Sequence, residues 1–564
     1  MNWAQWRKLF RKQPIGEIRT YFGEKIALYY AWLGWYTRVL LIAAVPGCIL
    51  FIYGFLSFSS SQISKEICEA NTTIMCPLCD QKCPFWILSD TSTLFLELWK
   101  RYRAKKVNQW NMYSWDEEEE ELALELINNP ENTSEEYQHS YIRSIIVLIL
   151  ALIMICVLIG MAHVLVIYRV VVTVIFTQSN SKFLQEKATT VAVLTGAVMH
   201  YLSIIIMTKV NKYIAHLLCK LERPRSFSER EKSYTIKVFT FQFFNYFSSL
   251  IYVAFFLGRI NGHPGSYVRV AGKWRLEECH PSGCMTDLFI QMFVIMTLKQ
   301  TFSNLVEYWL PTLTYKCRLL YRKPQRINVE QISQDSCKEE WLWNYQLNEV
   351  NVFTLFDEYM EMMIQYSFTT IFVAAFPLAP LLAFINNLFE IRLDAIKMVK
   401  LQKRMVPKKA NTIGIWYYIL EIIGILSVIG NGLVIAITSD FIPMLVYQYT
   451  FSPCKQKNNT GIDCLTGYIN HSLSVFNVQH FENTVNLTDP MGNKITHYYR
   501  NSDDYSHSIK FWHIFAARIA FLFVFEHVAL CVKLIAAWLV PDDPRSVKND
   551  QLKEKRKKLK RKLQ

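Results

Sequence analysis

The chain has 564 residues, 52% of them hydrophobic and 14% aromatic, with 61 Lys and Arg against 47 Asp and Glu, a formal net charge of +14. Its mean hydropathy is nonetheless positive, +0.13. That combination excludes an ordinary soluble globule and points to an all-α polytopic membrane protein.

Residues 1–36 read as a polar to amphipathic cytosolic arm. No cleavable signal peptide is expected, because 38 such residues precede the first apolar run. Runs long enough to span, about 20 residues, are read at Val39–Phe58, Ile145–Tyr168, Thr189–Thr208, Val238–Leu257, Leu288–Leu310, Phe353–Ala375, Ala379–Met398, Ile413–Thr438 and Phe511–Val540. They delimit a membrane domain over residues 37–541, followed by a basic tail at 542–564.

Basic clusters orient these spans. Arg7, Lys8, Arg11 and Lys12, the segments Lys209–Lys237, Lys316–Arg326 and Lys400–Lys409, and the tail Lys553–Lys558 should all face the cytosol. Glycosylation sequons at Asn71, Asn458, Asn470 and Asn486 fall in other loops, which should be extracellular or lumenal. The sequon at Asn132 lies in the loop 100–143, read as cytosolic, and should be silent. Outside loops, chiefly 59–88 and 440–510, hold Cys68, Cys76, Cys79, Cys83, Cys279, Cys284, Cys454 and Cys464. The Cys76-x-x-Cys79 spacing suits zinc, but beside a sequon in an oxidising compartment disulfides are the better reading.

One crossing does not fit. The loop after Phe58 must be outside and Trp99–Lys106 inside, yet only Pro84–Leu98 lies between them, with Asp90 and Glu97 in it. That stretch is too short and too polar for about 30 Å of hydrocarbon. The topology therefore wants ten crossings, of which the second is truncated.

Within residues 286–402 lies the most informative pattern. Glu358, Glu361, Glu390 and Asp394 sit in apolar sequence, where an ionised group costs at least ~2.5–3.5 kcal/mol and is a functional candidate. Phe376-Pro377-Leu378-Ala379-Pro380 breaks the run and predicts a helical hairpin. The acids lie 19 and 16 residues before Pro377 and 13 and 17 after it, or about 20–29 Å along both arms. Their i/i+3 and i/i+4 spacings place each pair on one helix face, so the pairs should meet. Reading 353–389 as a peripheral helix plus one kinked span would put Lys400–Lys409 outside, against expectation. Glu307, 23 residues after Cys284, should reach the same depth, with Asn304 one turn earlier. Such a cage of hard oxygens suits Ca²⁺. The competing reading pairs some of the acids with Arg392, Lys397 or Lys400, or leaves them in the headgroup region.

Phe356–Gln365, Phe376–Leu381 and Glu390–Ala395 resemble the seventh-helix, turn and eighth-helix motifs of the anoctamin family. Cys76–Asp80, Asn261–Gly265, Glu277–Cys279, Thr438–Pro443 and Phe525–His527 are similar to family text in the same order. The resemblance runs from about Tyr21 to Pro544. It implies a homodimer with ten helices per subunit, a lipid-facing groove, and two Ca²⁺ ions held by the sixth, seventh and eighth helices. The ligands it implies are Asn304 or its neighbour, Glu307, Glu358, Glu361, Glu390 and Asp394. Three departures stand out: Ser303-Asn304 where relatives often carry two asparagines, the truncated second helix, and the absent large N-terminal cytosolic domain.

The expected function is a calcium-activated phospholipid scramblase. The alternatives are a calcium-activated chloride or cation channel and a non-transporting subunit that pairs with other anoctamins. A multi-pass protein of the plasma membrane is expected, or else of the endoplasmic reticulum. No P-loop, dinucleotide motif or nucleophile–base constellation is present, so neither an enzyme nor a nucleic-acid partner is expected. The intramembrane charges Glu421, Arg518 and Glu526 read as interhelical pairs. Gln242, Asn245, Ser248, Ser249 and Lys299-Gln300 read either as groove lining or as ordinary helix–helix hydrogen bonding. The acidic run Asp116–Glu121 reads as solvated surface.

Overall fold

The structure, a computed structural model, describes residues 11–57, 140–177, 188–321, 347–453, 464–472, 507–539 and 545–563, apart from 225, 264–265, 271–273, 277–278, 280–283 and 351–353. The truncated crossing Pro84–Leu98, the four cysteines Cys68–Cys83, Cys454, and the sequons at Asn71, Asn132, Asn458 and Asn486 lie outside the described residues.

A short amphipathic helix, α1 (Ile15–Phe22), buries Ile18 and Phe22. Gly23 ends it at φ +89°, packed against Pro407 and the Lys408 backbone. The long helices follow: α2 (Glu24–Ser57), α3 (Tyr141–Thr177), α4 (Ala188–Glu222), α5 (Phe227–Phe255), α6 (Cys284–Tyr321), α7 (Thr354–Ile371), α8 (Ala379–Ile396) and α9 (Ile415–Leu433). Four more complete the chain: α10 (Phe441–Val446), α11 (Tyr468–Ser472), α12 (Ile509–Leu539) and the basic α13 (Arg545–Leu563). π-helical turns extend α8 (Lys397–Leu401), α9 (Val434–Thr438) and α10 (Tyr447–Phe451). Two tiny antiparallel ribbons, Gly262–His263 with Ser266–Tyr267 and Arg269–Val270 with Trp274–Arg275, fill the α5–α6 connection.

Among the described residues, α2, α3, α4, α5, α9 and α12 are long and apolar enough to cross a membrane. Large apolar side chains stand bare along them, such as Leu148, Leu152, Ile206, Ile422 and Phe523, as lipid-facing helices require. The helices carrying the acids, α6, α7 and α8, fall below that standard because Asp287, Lys299, Glu358, Glu361, Glu390, Arg392 and Asp394 interrupt them. Protein shields α7 and most of α8 instead, α8 packing most extensively on α2, while α6 keeps an exposed apolar face that includes Phe302, Leu305 and Trp309.

The first span corrects the sequence reading. It begins at Glu24, not Val39, because Glu24, Lys25 and Arg38 lower the hydropathy of a segment that is already helical. Two of those charges are paired, Arg19 with Glu24 at 3.0 Å and Lys25 with Glu231 at 2.8 Å, while Arg38 Nε–H donates to the Gly34 carbonyl. Between them Tyr29, Tyr30, Trp32, Leu33 and Tyr36 are fully buried. Most other spans likewise outrun their apolar windows at one or both ends, as amphipathic turns continue the helix. The seventh is shorter, ending at Ile371 rather than Ala375.

The core is an aromatic seam. Phe247 of α5 stacks on Phe368 and Phe372 of α7 and its following turn, at 4.8 and 6.0 Å. Phe376 in that turn meets Phe289 of α6 at 5.0 Å. The hairpin tip rests on α2 at Gly47, where a Cβ would lie 2.2 Å from the Pro377 carbonyl oxygen. Gly47→Ala gains about 1 kcal/mol of helix propensity but forces two backbones apart. Overpacking of that kind costs about 1–3 kcal/mol, so the midpoint of thermal unfolding in detergent should fall; an unchanged or raised midpoint would show that the tip is loosely seated.

The bundle has two chemically distinct ends. At one, Lys25 N–H donates to the Lys408 carbonyl, Arg404 Nε–H to the Tyr21 carbonyl, and Arg392 to the Arg11 carbonyl. At the other, the Cys279–Cys284 disulfide sits beside Leu257 where α6 begins, and Thr438 donates to the Ala254 carbonyl. Cys464 is also disulfide-bonded. Asn470 lies in α11, its side chain outside the described residues.

Candidate metal centre

The hairpin arises as its sequence dictates. α7 closes in a tight turn in which Ala375 N–H and Phe376 N–H both donate to the Phe372 carbonyl. Pro377 has no N–H to continue the ladder, and Pro380 occupies the first turn of α8, where a missing donor costs nothing. Asn431 of α9 secures the broken end. Its Oδ1 accepts from Ala374 N–H at 2.9 Å, and its Nδ2 donates to the Thr370 carbonyl at 2.6 Å. Gln365 ties the arms together by donating to the Ala383 carbonyl at 3.1 Å.

On α7, Glu358, Glu361 and Gln365 follow i, i+3, i+7 spacing, and on α8 Asn386, Glu390 and Asp394 follow i, i+4, i+8 spacing. Folding back at the turn brings the faces together. One carboxylate oxygen from each of Glu358, Glu390 and Asp394 lies within 4.8 Å of the others. The three residues are 3%, 1% and 0% exposed. Asp357, next in sequence to Glu358, turns outward to Lys212 of α4 at 2.6 Å.

The remaining candidate ligands surround this trio. Glu361 accepts from Lys299 Nζ at 3.2 Å and from Ser303 Oγ at 3.0 Å, both on α6. Asn304 Nδ2 donates to Asn386 Oδ1 at 2.8 Å, bridging α6 to α8 one turn before Glu390. Glu307 is in α6 three residues later, and its side chain lies outside the described residues. Lys397, in the π turn after α8, bonds Glu358. Ion pairing is thus realised in part, by Lys397 as the sequence allowed and by Lys299, which the sequence left open between groove lining and ordinary helix–helix hydrogen bonding. Arg392 donates to the Arg11 carbonyl.

Four carboxylates against two lysines leave a formal charge of −2 among the described side chains. In a low-dielectric interior such an excess is costly. Glu390 Oε2, Asp394 Oδ1 and Asn304 Oδ1 are buried without a hydrogen-bond partner. Hard oxygen donors, unused lone pairs and a residual charge of −2 fit a hard divalent cation such as Ca²⁺.

A family model described as "Anoctamin: Calcium-activated chloride channel" matches residues 18–554. The chain belongs to the anoctamin family. It is 54% identical to mouse anoctamin-9, over 98% of this chain and 77% of that protein. It is 42% identical to human anoctamin-4, over 98% of this chain and 63% of that protein, and 37% identical to human anoctamin-5, over 97% and 64%. The phrases Ile63–Cys68 and Gly160–Leu165 point within the family to the anoctamin-9 type. This anoctamin is accordingly a polytopic helical membrane protein.

The polar residues of its α4–α5–α6 interface are engaged with one another. Thr208 donates to Gln242 at 3.2 Å, Asn245 to the Ile204 carbonyl at 3.5 Å, and Gln291 to Ser249 at 2.7 Å; His200 meets Gln291 at 3.3 Å. Glu421 of α9 faces Lys533 of α12 at 3.8 Å, an interhelical pair as expected. Tyr29 and Asn431 escaped the sequence reading. A tyrosine before the apolar window and one asparagine within another give no periodic signal.

Proposed function

We propose that this anoctamin is a calcium-activated phospholipid scramblase whose α6, α7 and α8 hold the activating ion. The observation that carries the reading is the buried trio Glu358, Glu390 and Asp394, with its unused oxygens and residual negative charge, in a chain of a calcium-activated family. Bound Ca²⁺ supplies the positive charge that the two lysines leave unmet. The protein's own groups do the rest. Lys299, Ser303 and Asn304 fasten α6 to α7 and α8, so the charge state of the acids bears on how closely α6 is held.

The polar stripe from His200 to Gln242 lies where α4 meets α5 and α6, with exposed apolar residues such as Leu202 and Ile206 on the outer side of α4. Parting these helices exposes a polar furrow beside the bilayer, which suits a headgroup that slides while its tails stay in lipid. A chloride channel gated by the same acids is the second reading, favoured by the family description. We place the protein in the plasma membrane as a homodimer, with the nearly bare α12 available to a second copy, and with Asn71, Asn458, Asn470 and Asn486 glycosylated.

The test is reconstitution of purified protein in liposomes, with fluorescent-lipid exposure and ion flux followed side by side at zero and saturating Ca²⁺. Calcium-dependent lipid exposure without selective current is expected. Selective current alone would establish the channel, and neither signal would establish a regulatory subunit.

A further inference from the structure

We infer that Tyr29 of α2 is a positioning residue of the metal centre, which makes α2 a fourth wall of a site otherwise built from α6, α7 and α8. The inference rests on the metal-binding reading of Glu358, Glu390 and Asp394. Tyr29 Oη–H donates to Asp394 Oδ2 at 2.6 Å, and both residues are 0% exposed. The other oxygen of the same carboxylate, Oδ1, is buried with no hydrogen-bond partner. The phenol therefore occupies one oxygen of Asp394 and leaves the other to a cation. An aspartate so held offers a single ligand atom in a fixed direction, whereas a carboxylate free on both sides can rotate away or chelate through both oxygens.

The phenol is itself immobilised. Its ring meets Tyr359 edge-on at 4.9 Å, and Tyr359 stacks on Trp416 of α9 at 5.4 Å and 15°. Trp32, one turn after Tyr29 on α2, touches the same Tyr359 at 6.0 Å. Tyr359 directly follows Glu358, so one aromatic stack braces both the residue that orients Asp394 and the α7 turn that presents Glu358. A hydrogen-bonded partner behind a ligating carboxylate is worth about ten- to a hundred-fold in metal affinity.

The adjacent Tyr30 supplies the control. It is equally buried, but its hydroxyl donates to Met398 Sδ at 3.6 Å and not to an acid of the trio. Tyr29→Phe and Tyr30→Phe each remove one oxygen and keep the ring, so the packing of α2 survives both. The experiment is a Ca²⁺ titration of the thermal unfolding midpoint of the purified full chain in detergent, a readout independent of transport. Tyr29→Phe should raise the half-saturating Ca²⁺ concentration by about ten-fold or more, while Tyr30→Phe stays within about two-fold of the wild type. Combined with Asp394→Asn, Tyr29→Phe should add almost nothing. A normal wild-type titration with Tyr29→Phe unmoved, or with both Tyr variants moved alike, overturns the assignment alone. A wild type with no calcium-dependent stabilisation overturns the metal centre and the assignment with it.

Discussion

Glu390→Gln should raise the Ca²⁺ concentration needed to stabilise or activate the protein by about two orders of magnitude. Glu390 is 1% exposed, Oε2 has no hydrogen-bond partner, and the carboxylates of Glu358 and Asp394 are its immediate neighbours. Glutamine has the same shape, so the change removes charge and little packing. Removing one partner from a buried ionic arrangement costs about 3–5 kcal/mol, which in affinity is roughly two to three and a half orders of magnitude. Without divalent ions the sign reverses. A buried, uncompensated carboxylate becomes a neutral amide, and the unfolding midpoint should rise. Damage to the fold would lower stability in both conditions, so a fall in both refutes the prediction. Glu361→Gln is the contrast. Lys299 and Ser303 already meet that carboxylate, so its effect on calcium dependence should be the smaller of the two. The reverse order would mean that Lys299 gives up Glu361 when the ion binds.

Asn431→Ala should be among the most damaging single changes away from the acids. The side chain serves two main-chain groups that the turn leaves open, Ala374 N–H and the Thr370 carbonyl, at 2.9 and 2.6 Å. Ala374 and Thr370 are 0% and 4% exposed, so water does not replace what is lost. Each stranded group costs about 1–3 kcal/mol, and the pair should lower stability by about 2–5 kcal/mol, read from thermal unfolding. Asn431→Asp keeps the acceptor for Ala374 but turns a carboxylate toward the Thr370 carbonyl and places a charge at membrane depth, where it costs at least ~2.5–3.5 kcal/mol, so it should be no milder than alanine. A wild-type midpoint in both variants would show that the turn does not depend on Asn431.

The hairpin was legible because its evidence is local: two prolines mark the turn, and the acids keep helical spacing on either side. Similar distances from Pro377, 19 residues on one arm and 13 and 17 on the other, were enough to bring Glu358 within reach of Glu390 and Asp394. The start of α2 was not legible. Glu24, Lys25 and Arg38 depress hydropathy, and the pairing of Lys25 with Glu231, 206 positions away, is a tertiary fact. Lys299 shows the same limit. In sequence it is a charge in an apolar run, and only the packing of α6 on α7 makes it the partner of Glu361. Tyr29 lies 365 positions from Asp394, and no pattern within either segment announces the other.

The disulfide at the start of α6 bears on how far that helix can travel. Cys284 is its first residue and is bonded to Cys279 beside the end of α5, so α6 is a bar anchored at one end. Lys299, which grips α7, stands about 22 Å along it, and Leu310, just before Pro311, about 39 Å. Displacement about an anchor grows with distance, so yielding at Lys299 is multiplied roughly 1.7-fold at Leu310. Small changes in how α6 grips α7 thus become larger sideways excursions at the end of the helix farthest from the sulfur bridge, and cutting that bridge would turn rotation into drift.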